Sequence, residues 1–197
     1  MKLRGLYAIT PDGPDVMEKV QQALEGGIAL LQYRRKGFSR EFLLQEAKQM
    51  HRLAQRHQVP FIVNDDVELA LELGADGVHL GREDCDLAAA RKKMKAKLLG
   101  ASCYDRLDLA KAAVAAGADY VAFGSVFSSP TKPAAVRAPL SLFQSNVGVP
   151  LCAIGGVTLH NAPQLIAAGA DMVAVISDLF DAPDVRARAA QFQRLFS

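Results

Sequence analysis

A short motif occurs three times in this chain, and it constrains the fold more than any other feature of the sequence. Each copy places Gly-Ala-Asp before an apolar run, at residues 73–81, 116–124 and 168–176, and a weaker copy lies at 26–32. Glycine suits the left-handed residue that ends a helix, and the apolar run after it is typical of a buried strand. The motif therefore predicts the same helix-to-strand joint at four places.

Further apolar runs lie between these copies, and the two sets interleave along the chain. Together they give eight short runs, near residues 6–10, 30–34, 61–65, 77–81, 98–103, 120–125, 151–156 and 172–177. Their nearly continuous apolar character is what strands buried on both faces of a parallel sheet require. The segments between them mostly read as amphipathic helices, for instance 41–56, 105–116 and 184–196. Eight strands that alternate with helices predict a single (β/α)8 TIM barrel over residues 1–197.

One connection in this barrel is expected to be longer than the others. The stretch 125–139 is rich in serine, proline and alanine. Active sites of (β/α)8 barrels lie at the carboxyl ends of the strands, and this stretch follows the sixth run. We therefore expect residues 125–139 to form a lid over the active site.

Composition excludes several classes of protein. A formal charge of +2, with no block of like charges, gives no indication of nucleic-acid binding. The three cysteines are widely spaced and form no C-x-x-C pattern, so they predict neither disulfides nor a zinc site, and they fit a reducing cytoplasm. Residues 138–170 carry no charged side chain, but prolines, glycines and asparagines interrupt them, so we expect no membrane span.

Groups that bind phosphates or metal ions follow the runs, one after another. They are Gln32, Arg34, Lys36, Asn64, Asp65, Asp84, Ser102, Ser129, Thr131, Lys132, Gly155, Gly156, Ile176 and Ser177. A packed core does not require this regularity, although each residue alone could be a helix cap, a turn or a solvated strand end. Together they indicate a site for a diphosphate with its metal and for a second, smaller phosphate.

In these stretches the chain resembles the thiamine phosphate synthase family, and the resemblance covers essentially the whole chain. The matching stretches are 6–10, 32–36, 64–65, 75–81 with Asp84, 100–102, 117–120, 130–132, 153–156 and 173–177. Any one of them is weak evidence, but their order, each at a strand end, is specific. The chain departs from the family pattern at Tyr104, where many members have histidine, and at Ser129, which keeps a hydroxyl group.

The resemblance implies an enzyme that couples 4-amino-2-methyl-5-pyrimidinylmethyl diphosphate with a thiazole (carboxy)ethyl phosphate, giving thiamine phosphate and pyrophosphate. Departure of the diphosphate loads negative charge on the leaving group, which fixed cations stabilise. By the resemblance, the catalytic residues would be Arg34, Lys36, Lys132 and Ser102. Two carboxylates, Asp65 and Asp84, would hold Mg²⁺, a hard ion that prefers oxygen ligands.

The same resemblance divides the remaining residues between two substrates. The pyrimidine diphosphate would be bound by Gln32, Arg34, Lys36, Asn64, Ser102 and Lys132. The thiazole phosphate would be bound by Ser129, Thr131, Gly155, Gly156, Ile176 and Ser177. The thiazole nitrogen is already a nucleophile, so the reaction requires no general base, and the chain offers few candidate histidines.

Two other functions are compatible with the sequence. A thiazole tautomerase-like isomerase would share the barrel but need no diphosphate clamp, so Arg34, Lys36 and Lys132 argue against it. A non-catalytic barrel that binds thiamine phosphates would not need the metal carboxylates. The expected partners are small phosphorylated substrates, with a homo-oligomer possible.

The histidines are expected to be structural or exposed. His79 lies within an apolar run, where a packed and hydrogen-bonded role is expected. His51, His57 and His160 fall in helical segments, and we expect all three at the surface.

Overall fold

The computed structural model describes residues 3–82, 84, 86–128 and 137–197. Its strands are parallel, pair in chain order and close into a barrel, since β1 pairs with both β2 and β8. They are β1 (Gly5–Ile9), β2 (Leu30–Tyr33), β3 (Phe61–Asn64), β4 (Gly77–Leu80), β5 (Leu98–Tyr104), β6 (Tyr120–Phe123), β7 (Leu151–Ile154) and β8 (Met172–Val175). All eight apolar runs are strands within two residues of the predicted bounds, and the (β/α)8 fold is confirmed.

Helices surround the barrel. They are α1 (Val16–Glu25), α2 (Arg40–Arg56), α3 (Val67–Leu73), α4 (Leu87–Met94), α5 (Leu107–Ala115), α6 (Ala162–Ala167), α7 (Ser177–Phe180) and α8 (Val185–Arg194). The three helices predicted explicitly agree with α2, α5 and α8 within two residues. Between β6 and β7, the described residues contain a short 3₁₀ helix, Leu140–Gln144, where the other joints carry an α-helix.

The repeated glycines end helices as predicted. Gly74, Gly117 and Gly169 have φ of 68°, 96° and 111°, the left-handed region in which glycine avoids a Cβ clash. The residue after each glycine donates its N–H to a carbonyl five residues earlier, as Ala75 does to Ala70 at 2.9 Å. This bond closes a Schellman motif, which satisfies carbonyls at the end of the helix and turns the chain into the next strand.

The repeated aspartates have a second role that the sequence did not reveal. Each one accepts, through its side chain, the backbone N–H of a residue at the start of the preceding strand, and donates its own N–H to the carbonyl of the same residue. The side-chain bonds join Asp76 to Phe61 (2.8 Å), Asp119 to Leu99 (2.7 Å) and Asp171 to Leu151 (3.0 Å). These aspartates hold β3 to β4, β5 to β6 and β7 to β8 at the amino end of the barrel.

Two apolar layers form the core, one between strands and helices and one inside the barrel. Residues that fill the barrel include Tyr7, Leu30, Ile62, Tyr120, Cys152 and Met172. Two polar residues, Gln32 and His79, are also buried there, with 3% and 6% of their surface exposed. Because a buried polar group must be hydrogen-bonded to be tolerated, the barrel interior must contain polar partners for both.

The prediction that His51 lies at the surface was wrong, whereas His57 and His160 are exposed as predicted. His51 lies on the face of α2 that packs on the barrel, together with Ala47, Met50 and Ala54. Its ring stacks on Phe61 with centroids 5.2 Å apart. No helix in the described part of the chain is both long enough and apolar enough to span a bilayer.

Candidate active site

The end of β2 presents two cations to the carboxyl end of the barrel. Lys36 is exposed, and its Nζ lies 3.4 Å from an Asp65 carboxylate oxygen at the end of β3. Arg34 is half-buried, and Thr10 holds its backbone, accepting the Arg34 N–H at 2.9 Å and donating to the Arg34 carbonyl at 3.0 Å. The extended chain at the end of β2 is therefore fixed from the end of β1.

Arg35, between the two cations, has a different environment because successive side chains of an extended chain point to opposite sides. Its guanidinium makes a two-pronged ion pair with Glu46 of α2, at 3.0 and 2.9 Å, and donates to the Gly13 carbonyl at 3.0 Å. The side chain is only 6% exposed. Arg35 thus anchors the segment from which Arg34 and Lys36 extend, and is not available to a substrate.

Two carboxylates meet beside Lys36. Asp65 is half-buried and has a left-handed φ of 65°. Burial, together with the neighbouring Asp84 carboxylate, raises the pKa of Asp65. One Asp84 oxygen also accepts the Gly81 N–H at 2.6 Å.

Such a pair is a suitable donor set for a hard divalent cation. A cation between the two carboxylates would offset both causes of the raised pKa, because it favours the ionised forms. Among the described residues, no third acidic, histidine or cysteine side chain joins them. Two carboxylates would leave other positions of the cation for substrate oxygens and water.

The neutral residues predicted to bind the pyrimidine lie on three strands of the barrel, β2, β3 and β5. Asn64 ends β3 and is half-buried, immediately before Asp65. Gln32 on β2 donates through Nε2 to the Tyr7 hydroxyl at 2.7 Å. Ser102 on β5 is half-buried, and its Oγ lies 2.9 Å from Nε2 of His79.

His79 is packed and hydrogen-bonded, as predicted. Its Nδ1 lies 3.1 Å from the Tyr120 hydroxyl, opposite its contact with Ser102. Burial lowers the pKa of His79 to about 4, which keeps the imidazole neutral near pH 7.

The glycines after β7 pack against the segment that follows β6. Gly155 and Gly156 have φ of 99° and 64°. A Cβ on Gly155 would lie 2.1 Å from the Ser125 Oγ, and one on Gly156 would lie 2.5 Å from the Ser128 carbonyl oxygen. The first part of the predicted lid therefore packs directly on this turn, and both positions require glycine.

The segments after β7 and β8 are tied together by Asp178. Its carboxylate accepts the Leu159 N–H at 3.0 Å and pairs with Arg188 of α8 at 2.6 Å. Ile176 precedes α7, and Ser177 begins it and is exposed. The two turns predicted to bind the thiazole phosphate thus form one connected wall.

Three predicted site residues, Ser129, Thr131 and Lys132, lie outside the described residues. Of the predicted lid, the structure describes 125–128 and 137–139. The roles assigned to these three residues, and the lid itself, stay predictions.

Comparison with known proteins assigns the chain to a family. A family model described as thiamine monophosphate synthase matches residues 6–179. The chain is 57% identical to the thiamine-phosphate synthase of Aromatoleum aromaticum, over 99% of this chain and 97% of that protein. It is 53% identical to the thiamine-phosphate synthase of Chromobacterium violaceum, over 95% and 94% of the two chains.

The chain belongs to the thiamine monophosphate synthase family.

Solved structures agree with this assignment. The thiamine phosphate pyrophosphorylase of Pyrococcus furiosus superposes with a TM-score of 0.89 at 33% identity, covering 98% of this chain and 96% of that one. A 3-hexulose-6-phosphate synthase superposes with a TM-score of 0.73 at 18% identity, which shows the shared barrel alone. The family and the transferase function predicted from the sequence are confirmed.

Within this member of the thiamine monophosphate synthase family, sequence reasoning missed the residues that support the site. Thr10, Tyr7 and Tyr120 each contact a predicted site residue or its partner. Alternation along β1 could have indicated Tyr7, since every second residue of a barrel strand points inward. Its pairing with Tyr120, more than a hundred positions away, depends on the shear of the barrel, which no local pattern reveals.

Tyr104, where the chain departs from the family pattern, lies at the rim of the site. It ends β5, is 43% exposed and has a left-handed φ of 53°. The register between β5 and β6 shifts between Ser102 and Tyr104, so Tyr104 does not continue the alternation that aims Ser102 inward.

Proposed function

We propose that this chain forms thiamine phosphate from an aminopyrimidinylmethyl diphosphate and a thiazole phosphate. The exocyclic C–O bond to the diphosphate breaks, a C–N bond to the thiazole nitrogen forms, and pyrophosphate leaves. One observation carries the proposal: Lys36, two residues after Arg34 at the end of β2, lies 3.4 Å from the Asp65 carboxylate, which has the Asp84 carboxylate as its neighbour. Opposite charges in this arrangement suit a diphosphate bound with a metal ion.

The cations would act on the leaving group. As the C–O bond lengthens, negative charge builds on the diphosphate oxygens, and cations held in place beforehand stabilise that charge without reorganising. Thr10 fixes the backbone of Arg34, and Glu46 fixes the intervening Arg35. Lys132 is proposed as the third cation, on the strength of its position in the family motif.

Asp65 and Asp84 would hold Mg²⁺. When bound, this ion would act as a Lewis acid that withdraws negative charge from the leaving group. Lys36, at 3.4 Å from Asp65, neutralises part of the carboxylate charge in the same place.

Neutral groups would orient the pyrimidine. Gln32, Asn64 and Ser102 provide donors and acceptors on β2, β3 and β5 of the barrel wall. Hydrogen bonds to the ring edge would place the exocyclic carbon at a defined position relative to the thiazole nitrogen.

The thiazole phosphate would bind at the wall formed by the turns after β7 and β8. The first N–H groups of a helix, as at Ser177, have no partner within that helix and would donate to the phosphate, together with the backbone of Gly155 and Gly156. Ile176, Ser129 and Thr131 are proposed to complete this subsite.

The decisive experiment measures pyrophosphate release by the purified protein with both substrates and Mg²⁺, omitting each component in turn. Release that needs all three, with thiamine phosphate formed, supports the proposal. Tight binding of either phosphate without release would favour the tautomerase-like or the non-catalytic function instead.

Variants of the cations test the assignment of roles. We expect Lys36→Ala and Lys132→Ala each to lower turnover roughly 10²-fold or more, as loss of a charge partner in the transition state does. Lys48→Ala, at an exposed position on the outer face of α2, is the matched control. Turnover near the wild-type value in both lysine variants would show that the cations do not act on the diphosphate.

A further inference from the structure

A chain of buried hydrogen bonds crosses the inside of the barrel and joins two of the proposed pyrimidine-binding residues. Gln32 donates through Nε2 to the Tyr7 hydroxyl at 2.7 Å, and the Tyr7 and Tyr120 hydroxyls lie 2.8 Å apart. Tyr120 lies 3.1 Å from His79 Nδ1, and His79 Nε2 lies 2.9 Å from the Ser102 Oγ. Its five members come from five strands, so the chain connects opposite walls of the barrel.

The absence of a side chain at Gly100 leaves space inside the barrel for this chain of hydrogen bonds. Gly100 lies on β5, two residues before Ser102. A Cβ at Gly100 would lie 2.2 Å from Tyr120 Cζ and 2.5 Å from His79 Nδ1. A side chain there would collide with the central contact of the chain, so the contact between Tyr120 and His79 depends on glycine at this position.

The proton count gives the chain a direction. Either hydroxyl could donate in the contact between Tyr7 and Tyr120; we assign the proton to Tyr7, because Tyr7 is buried and Tyr120 is the acceptor described beside it. Tyr120 must then donate its single proton to Nδ1 of His79, the remaining acceptor beside it. A neutral histidine whose Nδ1 accepts carries its proton on Nε2, which donates to Ser102.

This direction determines what the two ends can offer to a substrate. Ser102 accepts from His79, so its own hydroxyl proton is available to an acceptor such as a ring nitrogen or a phosphate oxygen. Gln32 uses one N–H on Tyr7 and retains Oε1 and a second N–H. An acceptor beside a donor is complementary to an aminopyrimidine edge, which places an amino group next to a ring nitrogen.

We propose that Tyr7, Tyr120 and His79 are positioning residues that fix the amide orientation of Gln32 and make Ser102 a hydrogen-bond donor to the pyrimidine substrate. The inference rests on the proposed function, since it assigns these two ends to the aminopyrimidine. The three residues lie below the substrate and act through Gln32 and Ser102.

The first test determines the tautomer of His79 in the full-length protein without substrate. Long-range ¹H–¹⁵N correlation spectra distinguish a proton on Nε2 from a proton on Nδ1, and loss of a signal in His79→Asn assigns it. We expect the Nε2–H tautomer at neutral pH. A proton on Nδ1 would mean that the chain runs in the opposite direction, with Ser102 as an acceptor, and would overturn the inference.

The second test breaks the chain in the middle. Tyr120→Phe leaves Nδ1 of His79 without its donor, so we expect a mixture of tautomers and a loss of roughly 10-fold in kcat/KM for the pyrimidine diphosphate. The KM for the thiazole phosphate is expected to stay within about 2-fold of wild type, as a group that acts only on the other substrate requires. Gly100→Ala keeps every hydrogen-bonding group but displaces the Tyr120 ring, and we expect the same pattern from it.

Tyr33→Phe is the matched control, because it removes a tyrosine hydroxyl that bonds Glu46 outside the barrel. The His79 signals are expected to be unchanged in this variant. A Tyr120→Phe protein with wild-type kcat/KM and wild-type His79 signals would show that the chain is only structural. If Tyr120→Phe does not fold, Tyr7→Phe breaks the chain one bond earlier and is judged by the same readouts.

Failure of this inference can be distinguished from failure of the proposed function. A protein without synthase turnover would overturn the proposed function, whatever the tautomer of His79. An active protein whose His79 carries its proton on Nδ1 would overturn the inference alone.

Discussion

The two ends of the barrel use aspartate in opposite ways. At the amino end, Asp119 accepts the Leu99 N–H at 2.7 Å and pairs with Arg91, so its carboxylate has both a backbone and a cationic partner. At the carboxyl end, burial and a second carboxylate, Asp84, raise the pKa of Asp65. Lys36, at 3.4 Å, neutralises part of this charge.

Aspartate therefore has a structural role at the amino end of the barrel and a proposed functional role at the carboxyl end. A carboxylate that satisfies a backbone N–H at the start of a strand stabilises the fold, because that N–H would otherwise be unpaired. A carboxylate held near another one is unfavourable in the empty protein and becomes useful when a cation binds. Substitutions at the two ends should therefore affect different measurements.

The largest expected effect is on turnover at the carboxyl end. Asp65→Asn removes a proposed metal ligand, and we expect turnover to fall roughly 10²-fold or more while the protein stays folded. Pyrophosphate release under saturating substrates measures the effect, with Asp181→Asn, at an exposed position after α7, as the control. Turnover within a few-fold of wild type would remove Asp65 from the metal site.

The next effect is on stability at the amino end. Asp119→Ala leaves the buried Leu99 N–H without its side-chain acceptor, and we expect the free energy of unfolding to fall by about 2 kcal/mol. Turnover per folded molecule is expected to change less than about 2-fold. Urea denaturation measures the loss, and Asp119→Asn, which keeps an acceptor oxygen, should recover part of it. A large loss of turnover at unchanged stability would contradict the division between the two ends.

The smallest effect is a dependence of stability on pH at Asp65. Its raised pKa means that the folded protein binds this proton more tightly than the unfolded chain does. The cost of ionising Asp65 is therefore fully present above the folded pKa and disappears as the pH falls below the ordinary value of 3.8. We expect Asp65→Asn to be more stable than wild type at pH 7 without divalent cations, and this advantage to shrink towards pH 4.

Denaturation of both proteins in EDTA across this pH range checks the prediction. Addition of Mg²⁺ at pH 7 should reduce the advantage of Asp65→Asn, because a cation that binds the folded wild type stabilises it by mass action. An advantage that is constant with pH would show that the pKa of Asp65 is not raised. An advantage that Mg²⁺ does not change would show that Asp65 does not bind this cation.

The sequence was most informative where a pattern is local. Strand bounds and helix ends followed from apolar runs and glycine joints, because each depends on a few neighbouring residues. The position of His51 could also have been predicted, since it shares the helical face of Ala47, Met50 and Ala54. Strand-end alternation likewise separates Arg34 and Lys36 from Arg35, although only the structure shows what Arg35 contacts.

Contacts across the inside of the barrel could not be predicted from the sequence. Tyr7 and Tyr120 meet because strands 113 residues apart in sequence face each other inside a closed sheet. The space at Gly100 is likewise defined by residues from β4 and β6. Such contacts depend on tilt and register around the whole barrel, and neither is encoded in a local period.

The aspartate joints also bear on how the barrel opens. Gly27 has the left-handed φ of its counterparts, at 93°, but Ala29 stands where the other three joints have aspartate. Ala29 donates its N–H to the Leu6 carbonyl at 2.8 Å, but it has no carboxylate that could accept the Leu6 N–H. Among the four repeated joints in the described residues, β1–β2 is thus the one that lacks an aspartate side-chain bond at the amino end of the barrel.

Among these four joints, we expect the amino end of β1–β2 to open most easily, because it lacks the side-chain bond that the other three have. Tyr7 and Gln32 lie on these two strands. A transient separation of β1 from β2 would release the amide of Gln32 from the Tyr7 hydroxyl and the backbone of Arg34 from Thr10. Faster amide exchange of the β1–β2 bonds than of the β3–β4 bonds would be its signature, and the least supported of the four joints would then join the two strands that carry one edge of the pyrimidine pocket.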